Sequence, residues 1–244
     1  MKAVILAAGI ASRLRPLTND RPKCLLEIGN RSLLARAIDG LLVNGVDEIV
    51  IVTGYLKEMI EDFVHTAYPN LSVKFIYNEV YASTNNIYSL WLAKPEVLHE
   101  KEIILLDSDI LFDPLMIKTL QNAPYNNCLA LDSHKLGEEE IKVIVNEKNQ
   151  ITEISKTCSI DKAIGESIGI EKISNTYLSA LYNELEQMIL HEGLDNVFYE
   201  LAFERLISQG HYFYPVDTSN YFSMELDTVE DFQDAINRIP KHLQ

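Results

Sequence analysis

Four cations follow a single glycine near the start of the chain, in the stretch "ILAAGIASRLRPLTNDRPKCLLEI". Arg13, Arg15, Arg21 and Lys23 follow Gly9 closely, although the protein has a formal net charge of −15. An apolar strand that ends in a tight loop can present backbone N–H groups to phosphate oxygens, and the cations could neutralise a polyphosphate. The segment predicts a phosphate site; the alternative is a solvated basic loop.

The glycine itself gives this loop its expected geometry. Gly9 permits a conformation with positive φ, which residues with a Cβ atom disfavour. The spacing matches neither a Walker A loop nor the dinucleotide-binding fingerprint, so both of those phosphate sites are excluded.

Two pairs of carboxylates follow apolar, strand-like stretches. Asp107 and Asp109 end "KEIILLDSD", and Glu225 and Asp227 end "YFSMELD". Carboxylates are costly to bury unless they are paired or bind a metal, and Mg²⁺ typically bridges one or two carboxylates to substrate phosphates. The acids therefore predict a Mg²⁺ site. The alternative is that Asp107 and Asp109 cap a turn and that Glu225 is solvated.

The elements that must position these residues alternate between strand and helix in the first half. The strand-like runs are "AVILAA", "DEIVIVTGY", "LSVKFIYN" and "KEIILLDSD", and the helix-like stretches are "SLLARAIDGLLVNG", "LKEMIEDFVHTAY" and "NIYSLWLAK". The alternation predicts an α/β fold with a Rossmann-like, mixed and mainly parallel sheet flanked by helices. Ligands bind at the carboxyl ends of such strands, where "AAGIASR" and "DSD" both fall.

The second half has a different pattern. Strand-like stretches ("NNCLALDS", "IKVIVNEKNQITEIS", "SIGIEKIS") precede two helices ("NTYLSALYNELEQMILH" and "NVFYELAFERLISQ") and two late strands. The closing helix, "TVEDFQDAINRI", is capped by Thr228 and contains Asp231. We predict one domain over residues 1–244. A nucleotide-binding half spans about 1–125, and a smaller acceptor-binding lid at about 126–244 completes the metal site.

The composition indicates a soluble globular protein, with 47% hydrophobic and 23% charged residues. The apolar runs are shorter than the ~20 residues of a membrane helix, and the N-terminus does not resemble a signal peptide, so we expect a cytoplasmic protein. Cys24, Cys128 and Cys158 are expected to be reduced thiols. The acidic balance argues against nucleic acid and anionic membranes as partners. The oligomeric state stays open, with a homodimer among the options.

The segment from Leu6 to Lys23 resembles the L-A-A-G-x-G-x-R-L-x-P-L-T-x-x-x-P-K motif of the nucleotidyltransferases that activate sugar phosphates and related phosphates. Ala11 stands where that family usually has a second glycine, and it is the smallest replacement. The resemblance implies a nucleotide-diphospho-sugar transferase-like fold, Arg13 and Lys23 as catalytic residues, and Mg²⁺ on Asp109 and Asp227 with Asp107 and Glu225 close by. It also implies nucleotide binding by Leu6, Ala7, Ala8, Gly9, Ala11, Arg13 and Lys23.

A second element, "YASTNNIYSLWLAK", narrows the resemblance. It is similar to the T/Y-N-N-x-Y-S-L segment of the small cytidylyltransferases that act on phosphocholine and phosphonates, which implies CTP as the donor. Amides can read a base edge or a ribose, whereas the alternative is that Asn85 merely caps a helix. The resemblance places Asn78, Thr84, Asn85, Asn86 and Asp107 on the nucleotide.

The acceptor is a small phosphonate or phosphate ester by the same resemblance. A choline group requires an aromatic cage, and the phosphocholine enzymes carry a tryptophan where this chain has Ile141 and Lys142. The only tryptophan, Trp91, lies in the "NIYSLWLAK" helix. A 2-aminoethylphosphonate-like acceptor is therefore favoured and phosphocholine comes next. The expected acceptor-binding residues are Lys142, Lys156, Glu166 and Glu200.

Three rival functions share part of this pattern. A sugar-1-phosphate nucleotidyltransferase would have the same loop and acids but would use UTP, dTTP or GTP. A metal-dependent glycosyltransferase would have the D-x-D element without the loop of Arg13 and Lys23. A non-catalytic nucleotide-binding regulator would be expected to lack Lys23 or one of the metal-binding acids.

Overall fold

The computed structural model describes all 244 residues. Thirteen strands are present: β1 (Lys2–Ala7), β2 (Glu27–Ile28), β3 (Arg31–Ser32), β4 (Glu48–Thr53), β5 (Ser72–Tyr77), β6 (Glu102–Asp107), β7 (Ile110–Phe112), β8 (Cys128–Asp132), β9 (Lys142–Val145), β10 (Ile151–Ser155), β11 (Gly165–Ser174), β12 (Tyr214–Asp217) and β13 (Ser223–Glu225). Eight α-helices accompany them: α1 (Leu33–Val43), α2 (Lys57–Ala67), α3 (Asn86–Leu92), α4 (Lys94–Val97), α5 (Leu115–Asn122), α6 (Asn175–Glu186), α7 (Glu200–Ser208) and α8 (Val229–Arg238).

A nine-stranded sheet forms the centre of the molecule. Its main path runs β10-β9-β11-β6-β1-β4-β5, and β8 and β12 join it through β11. Strands β6, β1, β4 and β5 are parallel, whereas β11 runs antiparallel beside β6. The expected mixed, mainly parallel α/β fold is confirmed.

The sheet is buried on both faces because its central strands are apolar on both faces. Val4 and Leu6 of β1 belong to a core cluster with residues of α3, α6 and α7. Ala3 and Ile5 point to the opposite face, where they pack with residues of α1, α2 and α5. Successive strand residues alternate between faces, so one short run supplies both cores.

Five elements were not predicted from the sequence. These are the two-residue strands β2 and β3, the strand β7 and the helices α4 and α5. The two-residue strands are too short for a period-two pattern to be detectable. Helix α5 begins directly after Pro114. The residues that lead into it, "LFDP", do not have apolar residues at helical spacing.

The helix predicted from "NVFYELAFERLISQ" begins later than expected, at Glu200. The residues before it are bonded to α3 instead. Asn85 N–H donates to the Asp195 carbonyl at 3.0 Å, and Tyr199 N–H donates to Asn86 Oδ1 at 3.0 Å. These bonds fix the entry to α7 against the asparagine pair.

Two further expectations concern the chain end and the thiols. Thr228 and Asp231 form a reciprocal capping box at the start of α8, which confirms the predicted cap. Cys24, Cys128 and Cys158 are all free and buried.

Candidate active site

A cavity of about 390 Å³ opens at the carboxyl ends of β1 and β6, the edge where α/β sheets bind ligands. Its lining comes from both halves of the chain. It contains these sequence-predicted residues: Leu6, Ala7, Ala8, Gly9, Ala11, Arg13, Lys23, Asn78, Thr84, Asn85, Asn86, Asp107, Asp109, Lys156, Glu166, Glu200, Glu225 and Asp227. Of the predicted site residues, Lys142 alone does not line it.

The loop after β1 is left-handed at Ala11 and not at Gly9. Ala11 has φ 51° and ψ 51°, and its carbonyl accepts a 2.9 Å bond from the Thr18 hydroxyl. Gly9 has no positive φ, so the loop does not use the conformational freedom that glycine permits at that position. A Cβ atom built on Gly9 would meet nothing within 4 Å, so the loop lies open to the cavity at this point.

Lys23 is the centre of a network of ion pairs. Its Nζ donates to Asp109 Oδ2 at 2.9 Å and to Asp227 Oδ1 at 2.7 Å. Arg13 Nη2 donates to Asp227 Oδ2 at 2.7 Å. Burial opposes the charge of Lys23, but the two carboxylates outweigh it and raise the pKa of the ammonium. Burial likewise opposes the charge of Asp227, and Lys23 lowers the pKa of Asp227 below its ordinary value.

A short strand pairing brings the distant acids together. Strand β7 follows directly after Asp109 and pairs antiparallel with β13, so that Ile110 lies opposite Glu225. Leu226 N–H donates to the Asp109 carbonyl at 3.1 Å. The late carboxylates therefore meet the early ones through backbone hydrogen bonds, and their position does not depend on a ligand.

Three carboxylates have the geometry of a cation site. One oxygen each of Asp109, Glu225 and Asp227 lies within 4.8 Å of the others. Two of these carboxylates already hold the ammonium of Lys23, which shows that the group can bind a cation. Desolvation, reinforced by the charges of Asp109 and Asp227, raises the pKa of Glu225. Oxygen donors of this kind suit Mg²⁺, so the residues fit that ion.

Asp107 is not a member of this metal-binding group. Its Oδ2 accepts a 3.1 Å hydrogen bond from the Tyr199 hydroxyl, which also lies 3.3 Å from Glu171 Oε1. Burial, followed by the charges of Asp109 and Glu171, raises the pKa of Asp107. The assignment of Asp107 as a metal ligand is therefore not supported by its position, although the side chain does line the cavity.

Gly169 leaves room for the Asp107 carboxylate beside the Tyr199 hydroxyl. Gly169 has φ +69°, and a Cβ atom on it would lie 2.7 Å from Asp107 Oδ2. Any side chain would therefore both strain the backbone and displace the carboxylate.

Three asparagines, Asn78, Asn85 and Asn86, also line the cavity, and their amide groups have different roles. Asn78 donates to the hydroxyls of Thr84 and Ser89, each at 3.2 Å, and accepts from Val80 N–H at 3.1 Å. These bonds occupy both N–H groups of the Asn78 amide, so it shapes the wall and has no donor left for a ligand.

Asn85 and Asn86 use their amide groups differently. Asn85 Oδ1 caps α3 by accepting from Asn86 N–H at 2.8 Å, as the alternative interpretation expected. Asn86 Oδ1 accepts from Tyr199 N–H at 3.0 Å. The carbonyl oxygens are thus fixed by backbone N–H groups. Both residues line the cavity, and their amide NH₂ groups make no hydrogen bond within the protein.

Lys142 is buried and lies away from the cavity. It is 2% exposed, and its Nζ donates to the carbonyls of Gly137, Glu138 and Glu140 at 3.1–3.2 Å. Its position in β9 directs it under the preceding loop, where it satisfies carbonyls that burial would otherwise leave unpaired.

The acceptor side of the cavity contains one cation and several acids. Lys156 Nζ lies 3.3 Å from Glu139 Oε2 and 5.3 Å from the centre of the Phe198 ring. Burial, helped by Glu140 and Asp132, raises the pKa of Glu166 to about 7. Burial also raises the pKa of Glu200 to about 7.

Sequence reasoning missed Ser167, which lines this wall, and the buried pair Glu171 and Tyr199, which contacts Asp107 through the Tyr199 hydroxyl. Glu171 is fully buried, and its Oε2 has no hydrogen-bond partner. An acid in the middle of the strand-like "SIGIEKIS" stretch was the available signal, because charged side chains are almost never fully buried without a partner.

The raised pKa of Glu200 predicts a pH-dependent stability. The folded state binds a proton that the unfolded state has lost between pH 4.5 and about 7, so stability falls as the pH rises through this range. Glu200→Gln removes the titration. We expect its unfolding free energy, relative to wild type, to increase by about 2 kcal/mol from pH 5.5 to pH 8.

Urea unfolding at both pH values measures this difference, with the exposed Glu153→Gln as the matched control. If the unfolding free energies of Glu200→Gln and wild type differ by the same amount at both pH values, this would contradict a buried, uncompensated carboxylate at residue 200.

No helix is both long and apolar enough to cross a membrane.

Residues 2–150 match the family model described as nucleotidyl transferase. The chain is 27% identical to the CTP:phosphoglutamine cytidylyltransferase of Campylobacter jejuni over 98% of this chain and 100% of that protein. It is also 32% identical to the 2-aminoethylphosphonate cytidylyltransferase of Lancefieldella rimae over 126 residues, which cover 52% of this chain and 49% of that protein.

Among solved structures, the CTP:phosphocholine cytidylyltransferase of Streptococcus pneumoniae superimposes with a TM-score of 0.80. The two sequences are 24% identical, and the match covers 97% of each chain. This likeness supports the fold described above. Because the family model spans more than half of the sequence, the chain belongs to the nucleotidyl transferase family.

Proposed function

We propose that the protein is a cytidylyltransferase that transfers CMP from CTP to a small phosphonate or alcohol phosphate and releases pyrophosphate. The observation that carries the proposal is the composition of the cavity. The paired cations Arg13 and Lys23 lie beside the Asp109 and Asp227 carboxylates on one wall, and two free amide groups lie on another. Two relatives that use CTP, by their names, support this choice.

The free amide groups of Asn85 and Asn86 support cytosine as the base. Each NH₂ is a hydrogen-bond donor whose own carbonyl oxygen is already fixed by a backbone N–H. Cytosine presents two neighbouring acceptors, O2 and N3, whereas N3 of uracil carries a proton. Two donors therefore match cytosine better than uracil.

The reaction would be an in-line displacement at the α-phosphorus of CTP. An oxygen of the acceptor phosph(on)ate forms the new P–O bond while the bond to the bridging oxygen breaks, and pyrophosphate leaves with that electron pair. The attacking oxygen is already ionised at neutral pH, so no general base is required. The protein would contribute positioning and charge neutralisation, with Arg13 and Lys23 as the catalytic cations.

Asp109, Glu225 and Asp227 would hold a Mg²⁺ ion, which would offset negative charge on the phosphate oxygens. Residues of the loop from Leu6 to Ala11 would bind the triphosphate through their backbone N–H groups. Asp107 would support this wall through its bond to Tyr199 and would not ligate the metal.

The acceptor resembles 2-aminoethylphosphonate, and phosphocholine comes next. Trp91, the one tryptophan of the chain, packs against the apolar core beneath α3 and is not among the residues that line the cavity. Lys156, Glu166 and Glu200 do line it, and they would contact the acceptor.

Pyrophosphate release tests the function directly. CTP, UTP, GTP and ATP are each incubated with Mg²⁺ and with 2-aminoethylphosphonate, phosphocholine, glycerol phosphate, inositol phosphate or glucose 1-phosphate. We expect release with CTP and a small phosph(on)ate, and none when Mg²⁺ is replaced by EDTA. Release only with a sugar phosphate and UTP, GTP or ATP would contradict the proposal and favour a sugar-1-phosphate nucleotidyltransferase.

A further inference from the structure

Two polar side chains on the acceptor wall are buried without a hydrogen-bond partner. Glu200 is 6% exposed and Ser167 is 8% exposed. Neither Glu200 Oε2 nor Ser167 Oγ has a partner, although both residues line the cavity. Buried polar atoms are normally paired, so each such exception requires an explanation.

The negative charge of Glu200 is also poorly compensated. The neighbouring Glu171 is fully buried and has an unpartnered Oε2 of its own. Lys156 is the one cation that favours ionisation of Glu200, and its ammonium lies 3.3 Å from Glu139. The wall therefore has an excess of buried carboxylate, which a cationic ligand would balance.

A metal ion does not match this wall. The three-carboxylate group with metal-site geometry consists of Asp109, Glu225 and Asp227, and neither Glu200 nor Glu171 belongs to such a group. A hydroxyl group of an acceptor could donate to Glu200, but it would leave the charge uncompensated.

A quaternary ammonium does not match the wall either. It has no N–H donor for the free oxygens and needs several aromatic faces. Tyr81 and Phe198 are the aromatic residues that line the cavity. The Phe198 ring already faces the Lys156 ammonium, and Tyr81 lies beside Gly54 near the β1 loop.

We propose that the acceptor carries a primary or secondary ammonium group and that Glu200 is its counter-ion, with Ser167 Oγ accepting a second N–H. This inference rests on the proposed function and specifies its acceptor class. Because Glu200 lines the cavity, its side chain borders the space that the acceptor would occupy. The N–H donors supply the partners that both side chains lack, and the positive charge balances the carboxylate.

Matched acceptors test the assignment. The specificity constant kcat/KM with CTP is measured for 2-aminoethylphosphonate and for 2-hydroxyethylphosphonate, which replaces the ammonium by a hydroxyl. Phosphocholine and phosphoglutamine extend the set. Wild-type protein should prefer the acceptors with an N–H-bearing ammonium. In Glu200→Gln the ratio of kcat/KM between the amino and hydroxy compounds should fall about 10- to 100-fold, as for loss of a charged hydrogen bond.

The ratio separates recognition of the ammonium from structural damage, because a misfolded or loosened variant would lose kcat/KM for both acceptors by the same factor. Ser167→Ala should lower the ratio in the same direction by a smaller factor, since one neutral acceptor is removed. Glu153→Gln, an exposed substitution on β10, should keep the wild-type ratio.

The outcomes distinguish this inference from the proposed function. Turnover with CTP that favours 2-hydroxyethylphosphonate or phosphocholine overturns the ammonium site and leaves the cytidylyltransferase intact. An unchanged ratio in Glu200→Gln, with both rates reduced equally, also overturns it. Pyrophosphate release from no phosph(on)ate acceptor with CTP overturns both.

Discussion

Replacing Asp109 by alanine is expected to reduce turnover at least about 100-fold while the protein stays folded. Asp109 contributes one of the three clustered carboxylate oxygens, and its Oδ2 holds Lys23 at 2.9 Å. The substitution removes a ligand of the proposed metal and one of the two carboxylates that hold Lys23, the cation proposed to be catalytic. Losing a single preorganised electrostatic contact typically costs 100- to 1,000-fold in kcat.

Steady-state pyrophosphate release measures the effect, and circular dichroism with thermal unfolding checks the fold. The fold should survive because the Asp109 carbonyl, and not its side chain, makes the backbone bond to Leu226. Glu147→Gln removes an exposed acid outside the cavity and should keep wild-type turnover. Near-native turnover in Asp109→Ala would refute the assignment of the carboxylate group.

The sequence predicted which residues meet around this cavity better than how the fold brings them together. The apolar runs before "AAG" and "DSD" placed both motifs at the carboxyl edge of one parallel sheet, and that placement is confirmed by the pairing of β1 with β6. The pairing of β7 with β13 could not be predicted, because three-residue strands carry almost no periodic signal. That pairing nevertheless sets the position of Glu225 and Asp227 relative to Asp109.

The side chains whose surroundings differ from the expectation share one physical cause. A sequence pattern shows that a polar side chain is unusual, but it does not show where its hydrogen bonds go. Lys142 satisfies three backbone carbonyls, and the Asn78 amide supports a loop. Glu171 was overlooked for the same reason, because its burial depends on strands β6 and β8, which pair with β11 on either side of it.

The left-handed residue of the loop lies two positions after the glycine singled out in the sequence. Glycine is the usual residue at positive φ, which favoured Gly9, whereas the structure places the left-handed turn at Ala11. The resemblance to the family motif contained the better signal, since its second glycine corresponds to Ala11. Left-handed alanine costs roughly 1–2 kcal/mol, so we infer that the surrounding contacts, including the Thr18 bond, hold the loop in this shape.

Lys23→Met is expected to have two effects of opposite sign. Turnover should fall at least about 100-fold, because a catalytic cation is lost. Binding of Mg²⁺ to the protein alone should become several-fold tighter. The ammonium lies 2.9 and 2.7 Å from Asp109 and Asp227, the same carboxylates that would hold the metal, so metal and ammonium compete for them.

Calorimetric titration of Mg²⁺ into nucleotide-free protein measures the second effect. Lys148→Met, an exposed substitution in the turn between β9 and β10, should bind Mg²⁺ as wild type does, and Asp109→Ala should bind it more weakly. Equal or weaker Mg²⁺ binding in Lys23→Met would show that the ion does not use the carboxylates of Asp109 and Asp227. Tighter binding with lost turnover would mean that nucleotide phosphates normally draw Lys23 away from the carboxylates. Nucleotide and metal would then promote each other's binding by the same factor.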